Sequence, residues 1–359
     1  MSRARLTHLL EAVWVPLALS VLVVLAAVLG GVLGGAAFEA RMDVTLVYLV
    51  IVIGIYVFIG NSGVASFGHI SFTAIGAYTF ALMTVPVIRK SVLLPDLPNW
   101  IGELELHALP ASIIAALLAC AFAAIIGWPL MRLSGIPAAI ALFSVLIVVN
   151  VVISQSYSIT RGAQTMTGIP VTATRNTLLA WVVVSLFIAA AYQATRSGLR
   201  LRCSREDEFG AQAIGISITR ERMIGLIASA FVCGIGGALY GALQGSLSPQ
   251  AFYVQATFTT IVMLVVGGMR SLTGAVVGTI TVFGVQEVLR RAEEGFDVAG
   301  QHVPSRPGLQ LVGVSLLGLL IVLFRPRGIT GGREIPAPHR LRSRRVRSGG
   351  TSGGAEVAG

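Results

Sequence analysis

Long apolar runs separated by short polar breaks dominate the chain. Ten stand out, at 13–35, 44–60, 66–88, 111–131, 136–155, 178–195, 223–245, 255–268, 272–290 and 308–325. A helix needs about 20 apolar residues to cross the hydrocarbon core of a bilayer. The pattern therefore predicts an all-α polytopic membrane protein with about ten transmembrane helices. The eighth run is short, so it and the ninth are candidates for broken or re-entrant elements. The connection Asn61–Ala65 carries no charge, which makes the second and third runs candidates for one unit broken within the membrane.

The segment Gly60–Met83 breaks the apolar rule most sharply. It carries Asn61, Ser62, Ser66, His69, Ser71 and Thr73 together with glycines at 60, 63, 68 and 76. Polar groups at membrane depth are tolerated where they pack against protein or line a wet cavity. Two readings fit: tight helix packing through small residues, or part of a solute path. For the second, the candidates are Gly63, Ser66, His69, Ser71, Phe72 and Tyr78. A neutral His69 donates one hydrogen bond and accepts another, so it suits a packing role better than direct solute contact.

Composition agrees with the pattern. Hydrophobic residues make up 55% of the chain and charged residues 12%, about half the charge of a soluble domain. Residues 1–330 read as one transmembrane domain. Residues 331–359 read as a disordered tail, Arg-rich and then Gly/Ser-rich, suited to contact with anionic lipid. The start, MSRAR before a long apolar run, reads as an uncleaved first span.

The net charge of +10 does not indicate nucleic-acid binding, because the basic residues lie in short breaks and the tail rather than on a polar folded surface. With the N terminus in the cytoplasm and alternating spans, 18 of the 26 Lys and Arg fall inside: Arg3, Arg5, Arg132, six from Arg196 to Arg222, Arg270 and eight from Arg325 to Arg347. This asymmetry favours a multi-pass inner-membrane topology with both termini cytoplasmic. The outer segments 89–110, 156–177 and 291–307 are polar. They suit either docking of an extracytoplasmic partner or plain solvated connections.

Candidate chemistry is sparse. Cys120, Cys203 and Cys233 show no metal-ligand or disulfide spacing. No Ser/His/Asp set, HExxH motif or paired intramembrane carboxylates can be assembled. The single lysine, Lys90, has no glycine-rich turn before it, so a phosphate-cradling loop is absent. The reading is a non-enzyme that binds no cofactor or metal, with any ATP used by another polypeptide. The scarcity of intramembrane acids weakens an ion-coupled carrier. Gly237, Gly241 and Gly245 repeat every fourth residue, and Gly267, Gly268 and Gly274 follow. Such spacing lets helices approach closely, while the doublet Gly267-Gly268 marks a turn or helix break.

The longest inner loop, Arg196–Arg222, holds an amphipathic stretch from Glu206 to Ile214, with Phe209, Ala213 and Ile214 on one side and Gly215 as its stop. It fits a groove on a soluble partner or lies on the lipid surface.

Four segments, taken in order, resemble the LivM-type permease subunits of branched-chain amino acid ABC importers. Gly60–Leu82 is similar to the family's GxxSxGHxxFxxIGAYxxAL segment. Ser204–Arg220 resembles its coupling-loop signature, Ser246–Gly278 the region after it, and Leu323–Gly328 the closing LFRPRG motif. The resemblance implies a homologous second permease subunit as heterodimer partner, two ABC ATPase subunits and a periplasmic solute-binding protein. It also implies an ATPase contact at Glu206, Asp207, Glu208, Ala211, Ala213, Gly215 and Ile216. Two departures leave the solute open between branched-chain amino acids and urea, amides or aromatic acids. Thr160-Arg161-Gly162 stands where relatives carry a glycine pair, and apolar residues around Ile147 stand where relatives often place an acid.

Overall fold

The computed structural model describes residues 3–33, 35–294, 297–298, 301–302 and 308–335. Every apolar run becomes a helix. In chain order these are α1 (Arg3–Leu33), α2 (Ala36–Ser62), α3 (His69–Thr84), the short α4 (Val87–Leu93) and α5 (Asn99–Gly102), α6 (Ala108–Leu130) and α7 (Ile136–Gln155). They continue with a single turn α8 (Tyr157–Thr160), α9 (Arg175–Ala194), α10 (Arg196–Glu206), α11 (Glu208–Ala213), α12 (Ile218–Gln244), α13 (Val254–Gly267), α14 (Leu272–Glu294) and α15 (Leu309–Phe324). Two antiparallel two-residue pairings complete the set: β1 (Met166–Thr167) with β2 (Ser246–Leu247), and β3 (Asp297–Val298) with β4 (Gln301–His302).

Among the described residues, eight helices are long and apolar enough to cross a membrane, nine if the bent pair α3–α4 is one span. Of the about ten expected, eight or nine reach full spanning length, and α15 is a shorter apolar helix. The tenth run, α15, has 16 residues, about 24 Å at 1.5 Å per residue. The eighth reaches spanning length because a 3₁₀ turn at Pro249–Phe252 extends α13 to 19 residues. The second and third runs are not one continuous unit: α2 ends at Gly63 in the left-handed region (φ 71°), and six residues intervene before α3. The 116° bend between α3 and α4 falls at Val85-Pro86, where a proline disfavours helix in the residue before it.

The core is three helices deep. α2 is apolar on all sides, and 78% of its most apolar window is buried, against 28% for α7. A helix apolar all round belongs inside, whereas α1, α7 and α15 leave Leu25, Leu29, Val148, Val152, Leu316 and Leu320 exposed, facing the bilayer. α3 and α12 pack on α2 and on each other with almost no side chain between backbones. A Cβ at Gly76 would overlap the Gly234 carbonyl, and one at Gly237 the Thr73 carbonyl. α6 joins through a four-residue row of buried alanines, Ala111, Ala115, Ala119 and Ala123. Gly241 lies on the same side of α12 as Gly237, against Phe80, whereas Gly245 ends the helix in the left-handed region (φ 66°).

Contacts sort the helix ends into two faces. On one, Arg205 donates to the Gly60 carbonyl, Arg270 approaches Glu206, and Thr330 binds the Gly267 carbonyl. On the other, Arg175 pairs with Glu39 and Asp43, Arg41 pairs with Glu287, and the Leu106 amide binds the Met83 carbonyl. The ends of α1, α2, α3, α6, α7, α9, α12, α13, α14 and α15 alternate between these faces, so Arg132, the Arg196–Arg222 loop and Arg325–Arg333 share the first, basic face. The outer connections are folded rather than loose. Buried Lys90 donates to the carbonyls of Ile101 and Leu104, and segment 166–173 pairs with the end of α12. Glu293 accepts from the Gly308 and Gln310 amides; the rest of the 294–307 connection falls largely outside the described residues.

Residues 331–335, assigned by composition to the tail, pack on the basic face; residues 336–359 lie outside the described residues.

Gly237→Val is expected to destabilise the chain by about 3 kcal/mol or more, because the added methyls meet backbone rather than a yielding side chain. Gly284→Ala, with open space around it, is expected to be neutral; thermal unfolding of the two variants in detergent checks the contrast. A reporter fused after Ile335 is expected to be active only in the cytoplasm, and periplasmic activity would reverse the assignment of faces.

Candidate functional site

The break between α2 and α3 opens on the basic face. Gly63 takes the left-handed cap, and its amide closes on the Ile59 carbonyl at 2.9 Å. The chain then turns through Val64, whose amide binds the Ser62 hydroxyl at 3.2 Å. Ser66 Oγ meets His69 Nδ1 at 2.6 Å, and Ser71 Oγ donates to the Gly68 carbonyl at 2.5 Å. These bonds serve backbone and side-chain groups that helix ends leave open. The His69 ring packs between Phe58 and Phe72, with centroids at 5.3 and 5.7 Å.

A cavity of about 870 Å³ lies against this break. Its apolar wall holds Phe67, Phe143 and Phe258, whose ring centroids stand 6.2 and 6.0 Å from that of Phe67, together with Ile136 and Ile140. Its polar wall holds Arg205, Arg222, Glu208 and Arg270. Of the path residues expected from sequence, Gly63 lines this cavity. Ser66, His69, Ser71, Phe72 and Tyr78 are buried in protein, each at most 4% exposed. Exposed Ala65 and half-buried Phe67 line it instead. Burial alternates from Ser62 to Gly68, and only the folded turn sets which phase of that alternation meets the cavity.

The segment Arg196–Ile216 is built beside the cavity. Thr195 caps α10 by accepting from the Gly198 amide, and Asp207 caps α11 by accepting from the Gly210 amide at 2.9 Å, the usual role of Thr and Asp at helix starts. The segment is therefore two short helices meeting at Asp207 rather than one amphipathic stretch from Glu206. Gly215 (φ 83°) stops α11. Glu208 accepts from Ser134 and from buried Arg222, and so joins α11 to the α6–α7 turn and to α12. Arg205, with Arg270 behind it, holds the Glu206 carboxyl below the usual carboxylate range. Ala211 faces inward, whereas Ala213 is exposed, and Phe209 and Ile214 are 85% and 75% exposed. Two large apolar side chains thus stand out from a charged loop. Sequence reasoning did not select Arg205, Glu208's partner Arg222, or Arg270 as site residues, because nothing in loop spacing shows that Arg205 reaches back to Gly60.

Gly267 packs on Gly274 and Gly278, and Gly268 (φ 121°) makes the turn between α13 and α14. Arg161 is the sole non-glycine residue with positive φ (62°) among the described residues.

Apolar helices alternating between two faces around a buried α2–α3–α12 core define a multi-pass helical membrane protein. The chain belongs to the family described as branched-chain amino acid transport system / permease component, whose model matches residues 37–323. It is 25% identical over 319 residues to the high-affinity branched-chain amino acid transport system permease protein LivM of Salmonella typhimurium, and equally to that of Escherichia coli. Each alignment covers 79% of this chain and 68% of the relative.

With Cys203 removed, a cysteine at Ala65 is expected to react with a water-soluble thiol reagent from the basic face, and cysteines at Ser66 or Ser71 are not. Equal labelling at all three positions would contradict the placement.

Proposed function

We propose that this chain is one membrane subunit of an ATP-driven importer and that it passes branched-chain amino acids to the cytoplasm. A homologous second permease subunit completes the path. Two separate ATPase subunits dock on α10–α11, and an extracytoplasmic binding protein delivers the solute. This chain supplies no reaction chemistry. It gives the solute a wall and gives the ATPases a handle, so that nucleotide binding biases the pair between outward- and inward-open states.

One observation carries the reading: Phe209 and Ile214 stand exposed on a short capped helix that is braced to the α6–α7 turn and α12 by Glu208, Arg222 and Ser134. Isolated apolar anchors held on a rigid base suit insertion into a groove on a partner. Docking on lipid is the rival placement, because Arg196, Arg200, Arg202 and Arg205 stand beside the acids Glu206, Asp207 and Glu208 and the inner leaflet is negative. For the solute, the family description and the phenyl and isoleucyl wall of the cavity favour an aliphatic side chain over urea or an amide. An importer of the same build for urea, an amide or an aromatic acid is the second reading, motivated by Arg161 and the apolar stretch around Ile147. A self-contained carrier is the reading from another class, and it requires uptake without ATP.

Phe209→Ser with Ala213→Trp is expected to lower ATPase copurification and ATP-dependent leucine uptake by about tenfold or more, the scale of losing an interface anchor, with the chain still inserted in the membrane. Wild-type uptake in this double variant would remove α11 from the coupling role. Uptake of urea but not leucine by the intact complex would replace the proposed solute.

A further inference from the structure

The α13–α14 turn is held by a piece of chain more than fifty residues away. α13 ends at Gly267, and its last carbonyls have no partner within their own helix. The segment after α15 supplies them: the Ile329 amide donates to the Val266 carbonyl at 2.9 Å, and the Thr330 amide and hydroxyl donate to the Gly267 carbonyl at 3.1 and 2.8 Å. α14 begins at Leu272 with the opposite need, unpaired amides. Glu334 accepts from the Leu272 amide at 2.6 Å, the Thr273 amide at 3.0 Å and the Thr273 hydroxyl at 2.7 Å, and a carboxylate at a helix N-terminus also opposes the helix dipole favourably. One strap, 328–335, thus satisfies both broken ends. Gly328 lies so close to Gly267 and Gly268 that a Cβ there would meet their backbone.

The same carboxylate is tied to the coupling segment. Buried Tyr56 of α2 donates to Glu334 Oε1 at 3.4 Å. Gln193 of α9 donates from Nε2 to the Tyr56 hydroxyl. Arg202 of α10 donates to the Gln193 carbonyl at 2.6 Å. The turn so held contains Met269 and Arg270, which wall the cavity.

We propose that Glu334 and Tyr56 are positioning residues that lock the Met269–Arg270 wall of the cavity to α10, so that displacement of the coupling segment is carried to that wall. The proposal rests on the coupling role given above to α10–α11. Tyr56→Phe removes the Tyr56 link and leaves the strap's own bonds intact; Glu334→Gln keeps one acceptor oxygen and opposes the donors on its other side, so it weakens the lock without deleting it.

The test has two arms. In the purified full chain lacking Cys203, spin labels at Phe209→Cys and Met269→Cys report the separation of α11 and the turn. Tyr56→Phe and Glu334→Gln are expected to broaden the distance distribution. In proteoliposomes holding the full complex, each variant is expected to lower leucine uptake per ATP hydrolysed by about threefold or more, the scale of losing one hydrogen bond, with subunit copurification unchanged. An unchanged distance distribution in both variants, or an unchanged uptake-to-ATP ratio in both, overturns the proposal. A wild-type complex that takes up no leucine refutes the functional reading instead, and the distance measurement then decides the link by itself.

Discussion

Backbone-to-backbone contact between α3 and α12 is the constraint on which the rest depends. In a bilayer the lipid is as apolar as leucine, so helices gain little by hiding apolar side chains from it. Association must come from dense packing, and density requires small residues at the crossing. Gly76 against Gly234 and Gly237 against Thr73 remove the side chains there. α2 then fits beside the pair, with Gly54 against Cys233 and Gly236 against Ile51. Ser229 donates to the Gly54 carbonyl at 2.7 Å, so a polar group at depth is satisfied across the same crossing. With this triple core in place, α1, α7 and α15 need only one packed side each.

A second constraint follows from breaking helices near the membrane. Each break exposes amides and carbonyls that lipid cannot serve. The α2–α3 break is served by nearby Ser62, Ser71 and the left-handed Gly63, and by Arg205, which donates to the Gly60 carbonyl. The α13–α14 break is served from a distance, by the strap after α15. The α13–α14 break therefore holds its shape only while the strap stays docked. Both breaks border the cavity, and both adjoin the segment proposed to meet the ATPases.

Charge is handled differently on the two faces. On the outer face arginines meet acids across helices, Arg175 with Glu39 and Asp43 and Arg41 with Glu287, and Glu287 also pairs with Arg290 and Arg291 of its own helix. On the basic face the acids join the coupling segment to the body, through Glu208 with Arg222 and Glu221 with Ser197 and Arg200. The Arg270–Glu206 pair, exposed on both sides, adds little stability.

Apolar run length by itself determined that this is a helical, multi-pass protein and where its helices lie, because burial in lipid selects for long unbroken apolar segments. Basic loops determined the two faces, and glycine spacing marked the crossings at Gly237 and Gly241. The motifs around Gly60–Leu82 and Ser204–Arg220 pointed to the family. Tertiary structure decided which polar residues of the third run face a cavity. Ser66 and His69 bind each other inside the protein, while Ala65 and Phe67 line the space, an alternation whose phase only the folded turn sets. It also decided the fate of 331–335. Composition reads that segment as tail, since it contains one large apolar residue, Ile335. Its order comes from hydrogen bonds to the ends of α13 and α14, which are partners distant in sequence and carry no local signal.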